Sequence, residues 1–131
     1  MERSIVRPEG VAPPGGHFSH GVVIENASRV LYVAGQLGLD ENGELVGPGD
    51  AAAQARQALT NLQRVVEAAG GSLADVAKTT IFLVDLADRG PVGEVRKQFW
   101  TTNPPANTLL VVSSLASPDF LVEIEAVVPL P

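Results

Sequence analysis

The sequence of 131 residues contains no cysteine. This absence excludes disulfide bridges, thiol nucleophiles and thiolate-bound metal ions. Histidine is limited to His17 and His20, and the residues around them supply no carboxylates that would complete a metal site. The glycines of Gly35-Gln36-Leu37-Gly38 lack the lysine and the following helix of a phosphate-binding loop. We therefore expect no metal and no cofactor.

Basic and aromatic residues are also scarce. The chain has 9 Lys and Arg against 15 Asp and Glu, a net charge of −6, and 5% aromatic residues. Nucleic acids are bound through basic side chains and aromatic stacking, so this composition disfavours a nucleic-acid partner. No apolar run approaches the roughly 18 residues of a membrane-spanning helix, and no long apolar stretch follows the first residues. We expect a cytoplasmic protein that does not bind membranes.

Hydrophobic residues, in contrast, are plentiful at 45% of the chain. A chain of this length buries roughly two thirds of its unfolded surface, which suffices for a core without metal or disulfide support. We predict a single domain over residues 1–131, preceded within that range by a Pro- and Gly-rich N-terminal arm over residues 1–17.

Hydrophobic periodicity predicts two helices among several strands. Apolar residues recur at helical spacing from the N-cap candidate Asp50 to the C-cap candidates Gly70 and Gly71. A second helix is predicted over Pro91–Trp100, with Arg96 on its polar side. The predicted strands are Gly21–Glu25, Arg29–Ala34, Val76–Val84, Asn107–Ser113 and Leu121–Val128. The first two are predicted to form a hairpin across residues 26–28.

Both predicted helices connect strands of one sheet, and one layer of helices covers only one sheet face. The predicted strand Asn107–Ser113 is apolar on both faces, with Leu109 and Leu110 pointing in opposite directions. We therefore expect a homo-oligomer in which a second subunit covers the outer face.

The last predicted strand carries two carboxylates in an apolar run. Glu123 and Glu125 point to the same face because side chains alternate along a strand. A carboxylate on a sheet face is a candidate general base or acid. The alternative is that one or both pair with Arg or Lys from a neighbouring strand, or face solvent.

Several motifs together resemble the RidA (YjgF) family of reactive-intermediate deaminases, also called the endoribonuclease L-PSP family. The resemblance spans residues 18–128. The motifs are Gly35-Gln36, Ala53-Gln54-Ala55-Arg56-Gln57-Ala58-Leu59-x-Asn61, Val76-x-Lys78-Thr79-Thr80-x-Phe82, Pro105-Ala106 and Glu123-Ile124-Glu125-Ala126.

The resemblance implies a chorismate-mutase-like α/β fold with one mixed sheet covered on one face by two helices. It also implies a homotrimer with ligand pockets between subunits. In such pockets the first Glu of the Glu-x-Glu strand, here Glu123, positions the water that hydrolyses an imine, and the Gly35-Gln36 motif follows a strand at the pocket.

This chain departs from the family at the pocket. The arginine that clamps a substrate carboxylate after Pro-Ala is replaced by Asn107, and a frequent Cys two residues later is Leu109. Phe18 stands at a frequent Tyr, and Ala34 at a frequent Ser before Gly-Gln. Asn107 and Thr108 offer hydrogen bonds to a carbonyl, amide or hydroxyl, while Phe18 and Leu109 favour a less polar ligand.

We therefore predict a RidA-like protein that binds a small metabolite between subunits and hydrolyses a C=N bond with Glu123 as general base. An Asn gives no charged clamp, so this chain is not expected to be a typical 2-aminoacrylate deaminase, unless Arg7 or Arg29 replaces the missing cation. The alternatives are a non-catalytic small-molecule binding or assembly protein and, less favoured by the acidic charge, an endoribonuclease.

Overall fold

The computed structural model describes residues 1–131, which form six strands and two α-helices. In chain order these are β1 Glu2–Val6, β2 Gly21–Glu25, β3 Arg29–Gln36, α1 Ala51–Ala68, β4 Lys78–Leu83, α2 Arg89–Phe99, β5 Ala106–Val111 and β6 Val122–Leu130. A four-stranded sheet has the order β3-β6-β4-β5, in which only β4 and β5 run parallel. The predicted mixed α/β arrangement is confirmed. Neither helix combines the length and apolar character needed to cross a membrane.

Helix α1 begins and ends as its sequence predicts. The Asp50 side chain accepts a hydrogen bond from the backbone N–H of Ala53, at 3.0 Å, which caps the first turn. Gly70 follows the helix with a φ of +87°, a conformation that glycine adopts without steric cost. The apolar stripe packs on the sheet through fully buried side chains at Ala55, Ala58, Leu59, Leu62 and Val66.

The two faces of the sheet differ in how they are covered. Along β4, Thr79, Ile81 and Leu83 are buried beneath the helices, while the alternate residues lie on the opposite face. On that opposite face, which we call the open face, Tyr32 is 77% exposed and Leu110 is 42% exposed. Apolar side chains left in water favour burial against another surface. A homotrimer that covers the open face stays a prediction.

The predicted hairpin of β2 with β3 is wrong. β2 pairs instead with β1, from Glu2 opposite Glu25 to Val6 opposite Gly21, in a separate two-stranded sheet. β3 pairs with the nine-residue β6. β1 lies within the segment predicted as the N-terminal arm, and it provides a partner for β2 that local turn signals do not reveal. The turn signal at residues 26–28 therefore did not determine the strand pairing, because each strand pairs with a segment distant in sequence.

Candidate functional site

The open face holds the carboxylate predicted to be catalytic. Glu123 lies opposite Phe82 and Glu125 opposite Thr80 in the antiparallel pairing of β6 with β4, which confirms that both glutamates share one face. Glu123 is half-buried and Glu125 is exposed. Neither takes part in an ion pair, since the one salt bridge of the structure joins Lys97 to Glu94. The sequence left open that these glutamates face solvent or pair with Arg or Lys. Glu125 faces solvent, and neither glutamate pairs with a cation.

Gly35 lies directly against the Glu123 carboxylate. The β3–β6 register shifts between Val33 and Gln36, so that Ala34 and Gly35 form a bulge in β3. A Cβ atom at Gly35 would lie 2.6 Å from Cδ of Glu123 and would overlap its Oε2. A side chain at position 35 would force the Glu123 carboxylate to move from this place. The structure therefore brings together Glu123 and the predicted residues Ala34, Gly35 and Gln36.

Helix α1 holds the segment that follows this bulge. The Asn61 side chain donates hydrogen bonds to the backbone carbonyls of Leu37, at 3.1 Å, and Leu39, at 2.8 Å. Gly38 approaches α1 so closely that a Cβ atom there would lie 2.8 Å from Cα of Gln54. These contacts fix where the chain leaves β3, and with it the position of Gly35.

A second set of predicted residues lines a cleft of about 740 Å³ between α2, β5 and residues 15–18. Phe18, Asn107 and Leu109 lie in its wall, together with the buried Ile81. We call this space the α2–β5 cleft. It does not include Glu123 or Gly35.

The Thr108 side chain lies on the opposite side of β5 from those of Asn107 and Leu109. Its Oγ1 accepts a hydrogen bond from Nζ of Lys78 at 2.6 Å, and it pairs with Thr80 on β4, whose side chain is on the open face. Asn107 and Leu109 point to the opposite side, into the α2–β5 cleft. Within one chain the predicted site is therefore divided, with Glu123, Gly35 and Thr108 on the open face and Phe18, Asn107 and Leu109 in the cleft.

Arg96 also lines the cleft, and its predicted place on the polar side of α2 does not leave it exposed. It is only 3% exposed. Its guanidinium donates to Oγ1 of Thr79 and to the carbonyl of Pro105, both at 3.2 Å, and to the carbonyl of His17. It also lies 5.3 Å from the centre of the Trp100 ring. The available signal was its position one turn before Trp100, on the flank of the apolar stripe.

The burial of Arg96 has an electrostatic consequence. No carboxylate pairs with it, and its Nε has no hydrogen-bond partner. Desolvation lowers the pKa of the Arg96 guanidinium to about 10, so the side chain is still charged at neutral pH. An uncompensated buried cation is unfavourable for folding, which makes its position behind a cleft a candidate for function.

The two arginines proposed from the sequence as substitute cations lie elsewhere. Arg29 donates to the carbonyl of Ala69 at 3.2 Å, just past the end of α1. Arg7 borders a separate cavity of about 480 Å³ beneath the N-terminal segment. Neither lines the α2–β5 cleft.

Comparison with known proteins gives consistent results. The family model described as Endoribonuclease L-PSP matches residues 9–129. A 3-aminoacrylate deaminase RutC of Acinetobacter baylyi is 39% identical over 127 residues, covering 97% of this chain and 98% of that protein.

Two solved structures are similar over nearly their whole length. The Rid-family protein YyfB from Yersinia pestis, of unknown function, is 37% identical with a TM-score of 0.88, covering 99% of this chain and 100% of that one. RidA from an Antarctic Psychrobacter species is 33% identical with a TM-score of 0.73, covering 97% and 99%.

Proposed function

The chain belongs to the endoribonuclease L-PSP family, also called the RidA or YjgF family, and we propose that it hydrolyses the C=N bond of a small imine or its enamine tautomer. In this proposal Glu123 is the general base. The observation that carries it is the Glu123 carboxylate, which is half-buried over Gly35 and free of any ion pair.

An unpaired carboxylate can hold and deprotonate a water molecule, whereas one neutralised by Arg or Lys is a weaker base. In the proposed reaction the water oxygen bonds to the imine carbon while Glu123 accepts a water proton. The proton then passes to the nitrogen, which gives a carbinolamine. The hydroxyl proton of the carbinolamine next moves to the nitrogen, the C–N bond breaks as the C=O bond forms, and ammonia leaves. The relative RutC is named for the deamination of an enamine, 3-aminoacrylate, which supports this reaction class.

We further propose that the site is completed in a homotrimer. The base and the cleft residues lie on opposite sides of the sheet within one chain. Packing of the exposed apolar side chains, Tyr32 and Leu110 among them, against other copies would cover the open face. Because β5 is the edge strand of the sheet, we propose that the α2–β5 cleft of one copy lies beside Glu123 of a neighbouring copy.

The substrate is proposed to differ from that of arginine-bearing members. Asn107 offers a neutral amide in place of a bidentate charged clamp, and charge-assisted hydrogen bonds contribute roughly 1.5–3 kcal/mol. We therefore expect 2-aminoacrylate to bind about tenfold to hundredfold more weakly here than where the arginine is present. A small neutral or weakly polar imine suits the Phe18 and Leu109 walls.

The test is Glu123→Gln, with Glu125→Gln on the same strand as the matched control. Using a panel of neutral imines generated enzymatically from amines, we expect Glu123→Gln to lower turnover by about 100-fold or more, because the base is lost while the shape is kept. Glu125→Gln should retain turnover. Light scattering should show three times the 13.7 kDa chain mass for all three proteins.

Unchanged turnover in Glu123→Gln would assign this glutamate to structure. A monomer at micromolar concentration would rule out the shared site. Thermal stabilisation by a panel member without turnover in the wild-type protein would instead identify a non-catalytic binding protein.

A further inference from the structure

The direction of the hydrogen bonds behind the α2–β5 cleft is determined by the chemistry of Arg96. Its guanidinium is a donor only, and it donates to Oγ1 of Thr79. The single hydroxyl proton of Thr79 is therefore free to point to its other neighbour, Asn107, at 2.7 Å. The Asn107 atom that accepts it is Oδ1.

This assignment determines which end of the Asn107 amide faces the cleft. Its Nδ2 group forms no hydrogen bond within the chain, yet it is absent from the buried polar atoms that lack partners, so it is open to solvent. Asn107 lines the cleft. The amide thus presents two N–H donors and keeps its acceptor turned inward.

We propose that Arg96 and Thr79 are positioning residues that hold the Asn107 side chain as a hydrogen-bond donor, so that the α2–β5 cleft selects ligands carrying a carbonyl oxygen and rejects ligands that offer only donors. The inference rests on the proposed function only in taking this cleft as the ligand site. It concerns recognition, whether or not the bound molecule is hydrolysed.

Reversing the amide breaks this arrangement. With Nδ2 turned toward Thr79, the hydroxyl oxygen would receive two donors, and its own proton would have no acceptor among these three side chains. Arg96 cannot relieve the conflict by accepting, and at 3% exposure its guanidinium has little access to water. The walls beside Asn107, Ile81 and Leu109, are apolar, and the one carboxylate of the cleft, Glu94, lies on the exposed side of α2 in an ion pair with Lys97 at 3.8 Å.

This arrangement explains why a charged, donor-only side chain is buried at position 96. A neutral donor and acceptor at position 96, such as Gln, would let the hydroxyl of Thr79 point either way and Asn107 turn either end outward. A guanidinium cannot accept, so it excludes the orientation in which the Thr79 proton points toward position 96. Its two backbone acceptors, the carbonyls of Pro105 and His17, hold the guanidinium in place beside Thr79.

The first experiment is neutron diffraction from deuterated crystals of the wild-type protein, which locates the exchanged hydrogen atoms without any ligand. We expect the Thr79 hydroxyl deuterium on the line to Asn107 Oδ1, and both Nδ2 deuterium atoms turned to the cleft. A Thr79 deuterium pointing away from Asn107, or an amide in the opposite orientation, overturns the proposal.

The second experiment measures selectivity with two rings of similar size, cyclopentanone, which only accepts, and pyrrole, which donates through N–H. Binding is followed by NMR through the Asn107 side-chain amide signals of ¹⁵N-labelled protein, assigned with Asn107→Asp. We expect the wild-type protein to prefer cyclopentanone by about tenfold, a difference of one well-placed hydrogen bond.

Thr79→Val is nearly isosteric and removes the hydroxyl, and Thr79→Ser restores it. We expect Thr79→Val to reduce the preference to within about threefold, because the amide can then turn, and Thr79→Ser to recover it. Equal binding by the wild-type protein, a preference that survives in Thr79→Val, or binding of neither probe overturns the inference. None of these outcomes bears on whether turnover depends on Glu123. The Glu123→Gln assay therefore tests the proposed function independently.

Discussion

Gln54 and Arg96 are the longest buried polar side chains of the molecule, and they are satisfied in different ways. Gln54 donates to the carbonyls of Gly47, at 3.1 Å, and Asp119, at 3.2 Å, and accepts from the backbone N–H of Leu121 at 2.9 Å. Every contact is to backbone. Arg96 is charged, and its Nε has no hydrogen-bond partner. One of its hydrogen bonds goes to the side chain of Thr79, which in turn contacts Asn107 in the cleft wall.

The difference supports a structural role for Gln54 and the positioning role proposed for Arg96. A neutral buried group with its hydrogen bonds made adds stability and connects loops, here the two that flank α1 and β6. A buried charge without a counter-ion reduces stability, and it persists where it has another use. Completeness of hydrogen bonding is thus a better guide to the role of these two residues than burial, which they share.

Gln54→Leu is expected to have the largest effect. Three hydrogen bonds are lost, and the Asp119 carbonyl and the Leu121 N–H are left unpaired, while the Gly47 carbonyl still accepts from the N–H of Asp50. The free energy of unfolding should therefore fall by about 2–4 kcal/mol. Chemical denaturation measures this. Gln63→Leu in the same helix is the matched control, because Gln63 only contacts Glu67 at the surface and should change stability by less than about 0.5 kcal/mol. A loss for Gln54→Leu no greater than for the control would contradict the structural role.

Asn107→Arg adds a second cation beside Arg96 and is expected to have an intermediate effect. We predict that it raises turnover of 2-aminoacrylate by about tenfold over the wild-type protein, since position 107 then offers a bidentate charged donor in addition to the cations that already line the cleft, Arg89, Arg96 and Lys97. The gain stays modest because Phe18, Ala34 and Leu109 still differ from the arginine-bearing pattern. Steady-state kinetics on both proteins measure it.

Asn107→Gln, which adds length without charge, is the control for that gain. Brisk wild-type turnover of 2-aminoacrylate would show that an existing cation already holds the carboxylate. Alanine substitution of Arg89, Arg96 and Lys97, the cations that line the α2–β5 cleft, would then identify which one.

Arg96→Met is expected to change stability least. The lost bonds to the Pro105 and His17 carbonyls oppose the relief of removing a buried charge, so the free energy of unfolding should stay within about 1 kcal/mol of wild type. Arg56→Met, at an exposed arginine of α1, is the control. A loss as large as that of Gln54→Leu would place Arg96 among the structural residues.

The pH dependence of that difference follows from the lowered pKa. Below the folded-state pKa of about 10 the guanidinium is charged in both states, so the stability difference between Arg96→Met and wild type should be flat across neutral pH. Above it, the unfolded chain binds more protons than the folded one, and wild-type stability should rise relative to the variant. Urea denaturation at matched pH values checks the sign.

Local sequence patterns predicted the span of α1 and the orientation of side chains along the strands. The span of α1 follows from Asp50, the apolar stripe and Gly70, all within one stretch of chain. The common face of Glu123 and Glu125 follows from strand alternation. The same alternation separates Thr108 from Asn107 and Leu109.

Contacts between distant segments decided the rest. Three contacts join residues that are far apart in sequence. They are the pairing of β2 with β1, the close approach of Gly35 to the Glu123 carboxylate, and the hydrogen bond from Arg96 to Thr79, which is itself bonded to Asn107. The sequence by itself determined the family, the two helices and which carboxylate to examine, because caps, periodicity and alternation act over a few neighbouring residues. Only the tertiary structure decided strand partners and the direction of the Thr79 hydroxyl, because these depend on which groups packing brings within hydrogen-bond distance.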